Sequence, residues 1–95
     1  MVPRLVDLGT LLVVEDDVSI AELLQLYLSR EGYEVLAAAD GARGVELARA
    51  ERPRLVILDL MLPGMSGLEV LKVVRSFSDL PIIVLTARDS DQDKI

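Results

Sequence analysis

In Leu11-Leu-Val-Val-Glu-Asp-Asp17, four apolar residues run without interruption into three carboxylates. A strand with one wet face alternates polar and apolar side chains. An unbroken apolar run is what a strand buried on both faces requires, and parallel strands packed under helices are the common case. The abrupt carboxylates mark the point where such a strand reaches the edge of its sheet. The same change recurs downstream, where Leu55-Val-Ile-Leu58 runs into Asp59 and Pro81-Ile-Ile-Val-Leu85 runs into Thr86.

The segments between these runs carry a helical period. From Val18 to Glu31, apolar residues fall at Ile20, Leu23, Leu24, Tyr27 and Leu28, the stripe of a helix with one face on a core. Asp17 or Ser19 can cap its start, and Gly32 can end it in the left-handed conformation. Tyr33 to Ala38 reads as a second strand. Asp40 then caps a short helix that carries Val45, Leu47 and Ala48 to about Ala50, closed by Pro53. After a Pro63-Gly64 turn, Ser66 and Glu69 have the spacing of a capping box, and Leu68, Val70, Leu71 and Val74 give the third helix an apolar face. Ser90 and Asp93 repeat that spacing and predict a fourth helix from near Asp91. Strand and helix alternate with short connections, and right-handed crossovers then demand a doubly wound parallel α/β sheet. Ligands of such sheets gather beyond the carboxyl ends of the strands. Glu15, Asp16, Asp59 and Thr86 all fall at those ends.

Composition removes whole classes of chemistry. The 95 residues include no Cys and no His, which excludes disulfides, thiolate or imidazole metal sites, and Ser-His-Asp catalysis. Tyr27, Tyr33 and Phe77 are the only aromatic residues, so the core is built from Leu, Val, Ile and Ala. A net charge of -6 repels phosphate backbones, and no nucleic acid is expected on this segment. No apolar run approaches the roughly 20 residues of a membrane span, and Met1 to Gly9 lacks a signal-peptide pattern. The expectations are a leader over residues 1–9, one domain over 10–95, no membrane association and a cytoplasmic location.

Three carboxylates gathered at strand ends repel one another unless a cation or strong hydrogen bonds keep them ionised. With only oxygen donors, a hard cation such as Mg2+ fits best, bound by one or two carboxylates and several waters. A carboxylate beside that cation can attack phosphorus and form an acyl phosphate. Thr86 could donate a hydroxyl hydrogen bond to the transferred group, and Ala87 leaves room and a backbone N–H. Taken alone, Glu15-Asp16-Asp17 reads equally well as a solvated turn, and Asp17 is best read as a helix cap. The information lies in the combination.

Leu11-Leu-Val-Val-Glu-Asp-Asp17, Leu55-Val-Ile-Leu-Asp-Leu-Met-Leu-Pro-Gly-Met-Ser-Gly67 and Pro81-Ile-Ile-Val-Leu-Thr-Ala87 resemble, in order and spacing, three signature blocks of bacterial response-regulator receivers. The resemblance covers the chain from Thr10 onward. It implies a flavodoxin-like fold with sheet order 2-1-3-4, completed in the family by a fifth strand and a last helix. It implies Asp59 as phosphoacceptor, Asp16 and Asp59 as direct Mg2+ ligands, Glu15 acting mainly through a bound water, and Met61 supplying its backbone carbonyl. Thr86 becomes the switch hydroxyl and Ala87 the small residue beside the phosphoryl oxygens. A sensor histidine kinase is the implied phosphodonor, and the receiver phosphorylates itself, with autophosphatase activity at most. The Leu60–Gly67 segment looks most like receivers of winged-helix transcription regulators, which implies a DNA-binding effector beyond Ile95.

The sequence departs from the family at one point. A lysine after a fifth strand completes the family's phosphate site, whereas the only lysines here are Lys72 and Lys94. Three expectations follow: a domain incomplete at its C-terminal end, an edge strand over Pro81–Leu85 that favours a homodimer or an element-exchanged dimer, and, as the alternative function, a pseudo-receiver that binds protein without accepting phosphate. A phosphohydrolase ranks low, because Leu60-Met61 follows Asp59 where a second acid should stand. A dinucleotide-binding fold ranks lower still, because no glycine-rich loop follows the first strand.

Overall fold

The computed structural model describes residues 8–85. Seven elements alternate: β1 (Thr10–Val14), α1 (Val18–Arg30), β2 (Glu34–Ala38), α2 (Gly41–Glu51), β3 (Leu55–Asp59), α3 (Gly67–Arg75) and β4 (Ile82–Leu85). The four strands form one parallel sheet in the order β2-β1-β3-β4. The order runs outward from β1 in both directions, as expected of a doubly wound sheet. Bounds fall within a residue or two of those expected; Pro81, expected in the fourth strand, stands just before it. The predicted fourth helix near Asp91, Thr86, Ala87 and most of the leader lie outside the described residues.

Caps explain where the helices start. The Asp17 carboxylate accepts from the Ile20 N–H at 3.2 Å, and that of Asp40 from Arg43 at 2.8 Å. At α3 the capping box is complete: Ser66 Oγ accepts from Glu69 N–H at 3.2 Å while Glu69 Oε1 accepts from Ser66 N–H at 3.1 Å. The Gly32 φ of 108° carries the chain out of α1. At the end of α2, Arg52 holds φ 46° and ψ 58°, a left-handed position where glycine is usual and a Cβ costs about 1 kcal/mol.

The main core lies on one side of the sheet. Leu12, Val14, Val56 and Leu58 pack with Ala38, with Ala48 of α2, and with Val70 and Val74 of α3. In β1 and β3 the facing rows are in register, Leu12 with Val56 and Val14 with Leu58. Leu11, Val13 and Ile57 are buried too and by alternation look toward the other side, where α1 lies over β1 and β2.

The α1 stripe departs from expectation. It was predicted to rest on a core, yet Ile20, Leu23 and Tyr27 are 38, 50 and 54 % exposed and only Ala21 is buried along the helix. The physical reason is coverage. One helix over β1 and β2 touches its own narrow strip, and the rest of a wide apolar stripe faces outward.

Candidate functional site

Both buried acids lie at the carboxyl ends of neighbouring central strands. Glu15 follows β1 directly, and its N–H still donates to the Ala38 carbonyl at 3.0 Å, extending the β1–β2 ladder by one residue. Asp59 is the last residue of β3. Because β1 and β3 pair in parallel register, the two carboxylates arrive side by side. Asp16, one residue on, is exposed.

One oxygen from each of Glu15, Asp16 and Asp59 lies within 4.8 Å of the others. Glu15 is 5 % exposed and Asp59 4 %. Among the described residues no Lys or Arg pairs with the three; the ion pair present, Arg43 with Glu46, stands on the surface of α2. Main chain holds the two buried ones: Glu15 Oε2 accepts from Asp17 N–H at 3.0 Å, and Asp59 Oδ1 accepts from Met61 N–H at 3.0 Å. Burial pushes the Glu15 carboxyl above its ordinary value of 4.5. The Asp17 N–H opposes that shift, while the charge of Asp59, a hydrogen bond shared with Asp59 and the charge of Asp16 add to it. Burial and the neighbouring negative charges thus favour the protonated form of Glu15. A divalent cation would reverse that preference.

The all-oxygen donor set fits a hard cation. Three carboxylates, two of them buried and none paired with a basic side chain among the described residues, form a cluster that could bind a metal ion, and its donors suit Mg2+ or Ca2+ rather than softer ions.

A glycine that sequence reasoning passed over keeps the site in shape. At Gly67 a Cβ would come to 2.5 Å from the Leu60 Cα and 2.6 Å from the Asp59 carbonyl oxygen. Its N–H donates to the Leu60 carbonyl at 3.1 Å. The start of α3 is therefore pressed against the chain that leaves Asp59, and that closeness needs a residue without a side chain. The only hint in the sequence was its place in the Leu55–Gly67 block.

The other expected site residues divide clearly. Glu15, Asp16 and Asp59 are together. Met61 enters through its backbone N–H on Asp59, and its side chain is 56 % exposed. Asp17 is a helix cap, as expected. Thr86 and Ala87 lie outside the described residues.

Comparison with known proteins agrees with the geometry. The family model of the response regulator receiver domain matches residues 11–95. The transcriptional regulatory protein AfsQ1 of Streptomyces coelicolor is 48 % identical over 86 residues, spanning 90 % of this chain and 38 % of that protein. Among solved structures, the N-terminal domain of a response regulator receiver protein from Methanoculleus marisnigri superposes with a TM-score of 0.81 at 35 % identity, covering 86 % of this chain and 69 % of that one. The BeF3-activated receiver domain of RstA from Klebsiella pneumoniae gives 0.80 at 36 % identity, covering 86 % and 70 %. The sheet order, the acidic ends of β1 and β3 and the match across residues 11–95 lead to one conclusion: the chain belongs to the response regulator receiver domains of two-component signalling.

Proposed function

We propose that this chain is a phosphoryl-accepting switch, with Asp59 as the acceptor and a sensor kinase's phosphohistidine as the donor. The observation that carries the proposal is the buried Asp59 carboxylate within 4.8 Å of the Glu15 and Asp16 donors at the carboxyl edge of the sheet. An Asp59 oxygen attacks phosphorus, the phosphorus–nitrogen bond to the donor imidazole breaks, and the electron pair returns to the ring nitrogen. The product is an acyl phosphate on Asp59.

Asp16 and Asp59 would hold Mg2+ directly, Glu15 through a water, and Met61 through its main-chain carbonyl. The bound ion supplies positive charge against the phosphoryl oxygens. The Met61 N–H keeps one Asp59 oxygen oriented, and Gly67 keeps the loop that carries Met61 against α3. Thr86 serves as the hydroxyl that meets the phosphoryl group, with Ala87 giving it space. The activity is that of a self-phosphorylating switch rather than of an enzyme with turnover on other substrates. By likeness to the transcriptional regulator AfsQ1, the output is control of a DNA-binding effector outside this segment. Among the described residues β4 is the outer strand of the sheet, which supports a further part of the proposal, association with a second copy or exchange of elements between copies.

The chain incubated with acetyl phosphate and MgCl2 should gain the mass of one phosphoryl group on the peptide that contains Asp59. The gain should vanish in Asp59→Asn and on chelation with EDTA. Equal labelling in Asp59→Asn, or none in the parent at saturating Mg2+, would sink the proposal.

A further inference from the structure

At the opposite, amino end of the sheet, between the end of α2 and the connection from α3 to β4, lies a cavity of about 340 Å³. Ala48 and Pro53 are buried in its wall, Phe77 and Leu80 are half-buried, and Arg49, Arg52 and Ser78 supply the polar part. The volume stands at the lower end of the range for small-molecule sites, which combine a mostly apolar wall with a few convergent polar groups.

The two arginines give the cavity its chemistry. The Arg49 guanidinium lies over the Phe77 ring, 4.4 Å from its centroid. That contact holds the guanidinium against the ring and leaves N–H donors to meet a partner. Among the described residues neither the Arg49 nor the Arg52 side chain has a hydrogen bond or an ion pair. Glu51 and Asp79 stand next to lining residues in sequence, yet neither lines the cavity. Two guanidinium groups that form no ion pair among the described residues thus stand beside one apolar hollow on a chain whose net charge is -6. Arg52 also takes the left-handed turn that ends α2, where glycine would be the cheaper residue.

We propose that this cavity binds a small organic anion with a flat apolar body, an aromatic carboxylate or the corresponding phosphate ester. The anionic group meets the planar guanidinium donors of Arg49 and Arg52, which match carboxylate and phosphate oxygens in pairs. The flat body lies against Phe77, Leu80 and Pro53. The site is separate from the carboxylates at the other end of β3, so it binds with or without Asp59 phosphorylated.

The test is a titration of the 15N-labelled chain with benzoate and with phenyl phosphate, followed by amide chemical shifts. Saturable shifts are expected at residues 48–52 and 77–80, with affinity in the millimolar range and unchanged in Asp59→Asn. Arg49→Gln and Arg52→Gly should each weaken binding about tenfold, and Arg52→Gly relaxes the backbone rather than straining it, so loss there is not loss of the fold. Benzylamine, with the same ring and the opposite charge, should give no saturable shift. Non-saturating shifts, parental affinity in either arginine variant, or equal binding of benzylamine or inorganic phosphate would each overturn the proposal. So would binding of an acidic phenylalanine-containing peptide at these residues without binding of benzoate.

Discussion

The two sides of the sheet are made from the same strands and the same side-chain chemistry, yet they end in different states. Toward α2 and α3, the rows through Leu12, Val14, Val56 and Leu58 are 0 or 1 % exposed and meet Val70 and Val74, each 1 % exposed. Toward α1, the strand residues Leu11, Val13 and Ile57 are buried, but Leu23 and Tyr27 of the helix and Ile83 of β4 remain about half exposed. Apolar content therefore does not make a closed face; coverage by a neighbouring helix does. Alternation places Asp59 two residues after Ile57, on the α1 side of β3. Glu15 and Asp59 thus extend the rows of the more open side, and the closed side packs beneath them.

The largest expected effect contrasts one leucine from each side. Leu58→Ala empties a fully buried position and should cost about 3 kcal/mol, a large share of the roughly 5–10 kcal/mol available to a domain of this size. Leu23→Ala, from a side chain half exposed, should cost under about 1 kcal/mol. Urea denaturation of both variants measures the difference. Equal losses would show that the α1 side is as closed as the other.

Gly67 links the closed side to the site, and Gly67→Ala asks how firmly. A methyl group there must push backbone at Leu60 and Asp59 apart, at a cost of about 2 kcal/mol. The shift should also weaken Mg2+ binding, because Met61 and Asp59 move with that loop. Thermal melts with and without MgCl2 separate the two effects. Destabilisation with an unchanged Mg2+ response would place the strain away from the carboxylates.

How much of this was legible in the sequence follows from range of interaction. The strands β1 and β3 and their acidic ends were legible because an apolar run breaking into carboxylate is a local pattern that burial on both faces enforces. The capping box at Ser66 and Glu69 was equally local. The stripe on α1 was legible as a stripe, but its coverage was not, since that depends on how far one helix reaches across two strands. The need for glycine at position 67 arises from the crossing of α3 and the β3 exit, and the arginine-lined cavity arises from Phe77 meeting Arg49 across 28 residues. Neither has a spacing rule. Arg52 ran against such a rule, which expects glycine in the left-handed position.

The smallest expected effect concerns the charge at the end of the α1-side rows, and it has a definite sign. In the folded chain without divalent cation, Glu15 keeps its proton to higher pH than in the unfolded chain, where the ordinary value of 4.5 applies. The folded state then binds more protons across that window. The contribution of Glu15 to stability is therefore fullest below pH 4.5 and declines as pH rises through the raised value, levelling off above it. Glu15→Gln removes this decline, so the variant should lose less stability than the parent between about pH 4 and 7, as read from urea denaturation at a series of pH values. Saturating Mg2+ favours the ionised carboxylates and should reverse the ranking at neutral pH, where the parent gains from the ion and the variant gains less. A parent that, without Mg2+, gained stability relative to the variant as pH rose would show that main-chain hydrogen bonds already outweigh repulsion among the three acids. The cluster would then be held as firmly as the closed side, and the contrast between the two sides would stop short of the site.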